Sequence, residues 1–275
     1  MGNNLSEEQN ESSQQQHQAL PVHHEYYPES DQALSSQRSD VKTHHHDHHD
    51  PYHHQDHYHH VNKPKVDKRS VKSKLPHNCE AILKNNSDLP IDNSSIHKLY
   101  EQLHVGVFLN GRKMKYWVDK KGNNCFMVFA NGLKITWGEN PTYWYLHTEQ
   151  TSDEGLITVA QLRNVAWLEV HGRFNTTYLT PGVTYQVTFL IMLEFTSYGW
   201  EVPINFRLTL PNGTKQEHKE HLQEKPKGEW LRIPVGQFRA SPENIGEMEF
   251  SLYEYEGGSW KKGLILKSAI IEPRA

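Results

Sequence analysis

The chain has 275 residues, 35% of them apolar, with a formal net charge of −4 and a strongly negative mean hydropathy. So small a charge gives no electrostatic footprint for nucleic acid or acidic substrates across the whole chain, and no apolar run reaches the ~18 residues that a membrane span needs. The two cysteines, Cys79 and Cys125, lack CxxC spacing, so neither a disulfide framework nor a cysteine zinc site is indicated, and a reducing compartment fits.

Residues 1–78 are rich in Gln, Ser, His, Asp and Lys and carry too few large apolar side chains to offset the entropy of ordering, which predicts a disordered extension. Its start, Met1-Gly2-Asn3-Asn4-Leu5-Ser6, fits the myristoylation pattern and makes Gly2 a candidate acylation site. One acyl chain beside Glu7 and Glu8 would give only weak peripheral membrane association. Residues 44–60 hold ten histidines among Asp47, Asp50 and Asp56. Neutral imidazoles at His44, His45, His46, His48 and His49 are candidate, non-specific ligands for Zn, Cu or Ni, against a solubilising low-complexity tail with no metal. No dedicated cofactor is expected. Residues 63–74 then set six basic residues against Asp67. Three uses compete there: a nuclear import signal, a polybasic partner for an acylated terminus, or a solvated linker.

From Cys79 onward the chain reads as globular and carries all seven tryptophans. Residues 79–122 form an N-terminal segment in which Ile96, Leu99, Tyr100 and Leu103 recur at helical spacing behind Ser94 or Ser95, predicting one short capped helix. Residues 123–275 are dominated by alternation. Tyr185, Val187, Phe189, Ile191, Leu193 and Phe195 share one parity, which describes a long strand with one buried face. Ile204, Phe206, Leu208 and Leu210 repeat the pattern before the turn Pro211-Asn212-Gly213-Thr214, and Gly257-Gly258 reads as a hairpin turn. Several such strands predict an all-β, antiparallel, jelly-roll-like β-sandwich.

The stretch from Leu133 to Trp144 delivers aromatic rings into polar turn chemistry, Gly138-Glu139-Asn140-Pro141. Rings at a loop offer flat faces that suit the apolar side of a pyranose. Trp137 shares parity with Leu133 and Ile135, so a core position competes with a binding role for it. Trp144, beyond the turn, is expected to be accessible, and Tyr143 stands beside it.

These residues and four later blocks resemble the phloem protein 2 lectins, the Nictaba-like family. The blocks are Ile135-Thr136-Trp137 with Tyr143-Trp144, then residues 165–173, 179–185, 228–238 and 260–265, in family order over about residues 123–273. The resemblance implies a plant lectin of cytoplasm or nucleus, found in phloem sieve elements, that binds GlcNAc oligomers and the core of N-glycans, commonly as a homodimer and without catalysis. It also implies sugar contact by the tryptophans at 137 and 144. The chain departs from the family pattern at Arg173 and at Lys261-Lys262-Gly263 and lacks a cysteine-rich cross-linking segment, so the resemblance bears least on sugar preference and cross-linking.

A sugar site also needs polar partners, and Glu254 with Lys261 are the expected ones, against the alternative of a charged solvent face. Carboxylates two apart on a strand, Glu247 with Glu249 and Glu254 with Glu256, also raise glycoside hydrolysis as a reading. Same-face neighbours point into one patch, however, and do not flank a bond from opposite sides. A further alternative makes the globular part a scaffold, with protein interaction or metal buffering carried by the His-rich tail.

Overall fold

The computed structural model describes residues 75–84 and 86–274, and the expectations for Gly2, for the histidine tract, for the basic segment and for disorder up to residue 74 lie outside these; residues 75–78, the end of the expected disordered extension, are ordered instead, His77 O accepting from Asn124 Nδ2 at 2.6 Å. The described residues open with α1 (Cys79–Lys84) and α2 (Ile96–Val105). The second is the predicted capped helix: Ser95 Oγ accepts from Lys98 N at 3.2 Å, and Gly106, at φ 95°, ends it.

Thirteen strands follow among the described residues. The first group is β1 (Val107–Leu109), β2 (Met114–Val118), β3 (Asn124–Phe129), β4 (Lys134–Ile135), β5 (Trp144–Thr151) and β6 (Gly155–Leu162). Next come β7 (Leu168–Asn175), β8 (Thr184–Tyr198), β9 (Ile204–Thr209) and β10 (Lys215–Glu220). The last are β11 (Trp230–Arg239), β12 (Glu247–Glu254) and β13 (Lys262–Pro273).

Every named pairing is antiparallel, and the strands form two sheets. In the eight-stranded sheet β13 is the spine: β8 and then β11 lie on one side, while its other side is shared by β6, followed by β5, and by β3, followed by β2 and β1. The five-stranded sheet runs β10-β9-β12-β7-β4. Alternating residues of both sheets, such as Phe189, Phe206, Phe250, Val170 and Leu266, bury the main core between them. This is the antiparallel all-β sandwich that the alternation predicts.

Two features differ from the expectation. Tyr185, Val187, Phe189, Ile191 and Leu193 are buried as predicted, but Phe195 is 81% exposed. By then β8 has run past the start of β11, opposite Met192, and the Phe195 ring lies against Gly228, where an added Cβ would come within 2.6 Å of it. Gly257-Gly258 is not a hairpin turn either. β12 and β13 belong to different sheets, so this loop crosses from one layer to the other.

The larger sheet also curls. All six residues of β3 are buried, because Phe129, Met127, Ile157, Val159 and Ile270 form a second cluster on the sheet face turned away from the main core. Phe108 stacks on Phe129 at 5.9 Å, and Arg112, over Phe108, donates from Nε to Leu156 O at 2.8 Å, fastening the β1–β2 hairpin across to β6.

Candidate functional site

Three loops meet at one end of the sandwich: residues 136–143, 163–167 and 255–261. The first follows a strand of only two residues. Gly138 N bonds Ile135 O at 3.0 Å, Asn140 N bonds Trp137 O at 2.9 Å, and Thr142 N bonds Asn140 Oδ1 at 3.0 Å, so the chain winds tightly around the Asn140 side chain. Trp137 sits in this winding at φ 59°, the left-handed region, and that reversal breaks its parity with Leu133 and Ile135. Its indole is therefore 47% exposed, while Leu133 and Ile135 pack on the core. Tyr143, half-buried, lies 5.3 Å from it at an interplanar angle of 40°.

The expectation for Trp144 is corrected. As first residue of β5, opposite Leu162, it joins the main core at 2% exposure and has no ring face open to a ligand. Turn residues end at Tyr143, and Trp144, which opens the strand, is the one residue of β5 that is buried.

Glu254 and Lys261 are corrected likewise as direct sugar partners. They are 2% and 0% exposed and form an ion pair with each other. Lys261 Nζ also donates to Ser259 O at 2.9 Å and Ala166 O at 3.3 Å, and Glu254 Oε1 accepts from Gly257 N at 2.7 Å. The pair is an internal clamp on two of the three rim loops.

What the clamp holds in place is a ring pair that the strand reading did not single out. Trp167, 42% exposed, stacks on Tyr255 at 4.4 Å and 17°, and Tyr255 stacks on Tyr253 at 5.5 Å and 24°. Trp260, 54% exposed, lies on the same crossing loop as Tyr255. The available signal was parity, since Trp167, Glu169 and His171 alternate with buried Leu168 and Val170 and so face outward together.

Glu169 ties the two aromatic groups together. Its Oε2 accepts from Trp167 Nε1 and from Thr136 Oγ1, the residue before Trp137, each at 3.0 Å. Its Oε1 lies 2.9 Å from His171 Nε2, and His171 Nδ1 lies 3.2 Å from Glu249 Oε1. Burial alone would raise the Glu169 carboxyl, but the hydrogen bonds from His171, Trp167 and Thr136 outweigh it and hold the group below its usual range.

The carboxylates that raised the hydrolase reading are engaged elsewhere. Glu247 and Glu249 pair with Arg173 at 3.3 and 3.2 Å, in an exposed patch. Among the described residues no three His, Cys, Asp or Glu side chains are arranged to hold a metal ion, and no helix is long and apolar enough to cross a membrane. The rim thus offers exposed rings around a fixed carboxylate, an arrangement suited to stacking and hydrogen bonding.

The profile of the family described as Phloem protein 2 matches residues 123–273. The chain is 47% identical over 204 residues to Protein PHLOEM PROTEIN 2-LIKE A1 of Arabidopsis thaliana, covering 73% of this chain and 82% of that one. It is 40% identical over 206 residues to a protein of Luffa acutangula named Lectin, covering 73% and 96%. A second protein named Lectin, from Coccinia grandis, is 29% identical over 155 residues, covering 56% and 98%.

Proposed function

The chain belongs to the phloem protein 2 family, and on that premise we propose that it is a carbohydrate-binding lectin whose site is the Trp137–Trp167 rim. The observation that carries this reading is Trp137 itself. A large aromatic residue held at φ 59° and 47% exposed gains little from burial and costs about 1–2 kcal/mol in backbone strain, which is the signature of a side chain kept for contact with something else.

The ligand class follows from the surfaces on offer. Trp137 with Tyr143, and Trp167 with Tyr255, give two aromatic platforms joined through Glu169, which retains acceptor capacity for hydroxyl or amide groups. We assign GlcNAc oligomers and the core of N-glycans as ligands, with one sugar ring on Trp137 and its neighbour against Trp167. The site is an open rim, so single-site affinity is modest, and a homodimer presenting two rims would gain by avidity on multivalent glycans.

Binding without catalysis is the corresponding reading of the carboxylates. Glu169, Glu247 and Glu249 are committed to His171, Arg173 and the rim donors, and Glu254 to Lys261. Residues 123–275 are assigned the binding, residues 79–122 a supporting role, and residues 1–78 the role of an extension. Phloem sieve elements, in cytoplasm or nucleus, are the proposed setting.

Retention of the full chain on immobilised GlcNAc oligomers tests the reading, run beside Trp137→Ala and a glycan array. Retained wild type with a lost or strongly delayed variant supports it. Equal retention of the two proteins would remove Trp137 from the site, and a silent array would refute the ligand class.

A further inference from the structure

The opposite end of the sandwich holds a recess of about 550 Å³ that sugar binding at the rim does not use. It lies among residues 176–182, which lead from β7 into β8, residues 239–245, which lead from β11 into β12, and His77 with Asn78 ahead of α1. Since β7 runs from Leu168 at the rim to Asn175 here, its eight residues separate the two places by roughly 23 Å. The volume falls within the range of small-molecule sites.

The chemistry of the walls is specific. Leu179, Pro181, Pro242 and Ile245 make them largely apolar, and Ile245 is 61% exposed, a large aliphatic side chain left open at the mouth. One cation stands among these groups. Arg239 reaches over Gly182, where the φ of 78° admits no side chain without strain and an added Cβ would stand 3.8 Å from Nη2. Among the described residues Arg239 has no carboxylate within ion-pair distance, and the exposed Glu243, which its charge helps to hold below the usual carboxylate range, is held chiefly by its own backbone and by Ser241.

From the recess, its apolar walls and the guanidinium at its edge, we infer that this end of the protein binds a small organic anion: an apolar, ring-sized body carrying one acidic group. The acidic group pairs with Arg239, and the body covers Ile245 and the two prolines. Ligand and sugar then bind one domain at opposite ends of its strands.

Anilinonaphthalene sulfonate joins an aromatic body to one acidic group and brightens on leaving water, so fluorescence titration of the full chain is the test. Wild type should give a saturable, one-site rise. Arg239→Gln should weaken it about tenfold and Ile245→Asp should abolish it; both positions are exposed or near the surface, and both variants should keep wild-type retention on GlcNAc oligomers, while Trp137→Ala should lose retention yet bind the dye normally. No saturable binding to wild type, or wild-type dye affinity in both recess variants, would overturn the inference whatever the sugar experiments give.

Discussion

The Glu254 carboxylate and the Lys261 ammonium face each other inside the protein, one at the end of β12 and the other just before β13, so the loop that crosses between the sheets is closed by a buried ion pair. Neither partner has water to fall back on. Lys261→Met or Glu254→Gln should therefore each destabilise the protein by about 3–5 kcal/mol, because either leaves a buried group without its counterpart. The double variant should cost less than the sum of the two. Denaturant unfolding of the four proteins measures this, and strict additivity would show that the pair is not coupled. The clamp also holds Ala166 and Ser259, so the single variants should loosen sugar retention through Trp167 and Tyr255 without removing any contacting side chain.

Trp144 separates packing from contact in a comparable way. At 2% exposure its loss leaves a large hole, and Trp144→Ala should cost about 3–5 kcal/mol. Trp144→Phe fills much of the volume and should keep sugar retention near that of wild type at temperatures where it stays folded. A folded Trp144→Phe protein with no retention would return Trp144 to the binding site.

What the sequence made legible was decided by regular periods. The parity from Tyr185 to Leu193, the Ser95 cap and the turn before β10 each depend on near neighbours, and each is present in the fold. The rim was legible only in part, because its geometry depends on contacts between distant residues. A left-handed φ at Trp137 cannot be read from alternation, which left a core position and a binding role competing for that residue. Glu254 and Lys261 look like surface charges until β12 and β13 are known to lie in different sheets, bringing the two together in the interior. Trp167 was visible by parity, yet its partner Tyr255 comes from a loop nearly ninety residues on, and the stack exists only in three dimensions.

Glu169 gives the protein an acid-side dependence. Its folded value is lowered from an unfolded carboxyl value of about 4.3, so its contribution is fully present above that value and is lost as pH falls through the folded one. Glu169→Gln should lower Tm by ~2–4 °C at pH 7 for about 1 kcal/mol lost, and the gap to wild type should narrow as pH falls below the unfolded value and through the lowered folded one. Thermal unfolding from pH 7 to pH 3 checks this; a gap that persists unchanged at pH 3 would place the effect in packing and not in the charge.

Strain at Trp137 yields a test in which stability separates two variants that binding does not. Alanine and glycine both remove the indole, so both should lose retention on GlcNAc oligomers. They differ in the backbone: alanine keeps the Cβ that conflicts with φ 59°, whereas glycine adopts that angle freely. Trp137→Gly should consequently be more stable than Trp137→Ala by about 1 kcal/mol, the reverse of the order expected at an ordinary exposed strand or helix position. Were alanine the more stable, the turn in solution would not hold residue 137 in the left-handed region, and the outward projection of its ring, on which the sugar platform depends, would lose its physical basis.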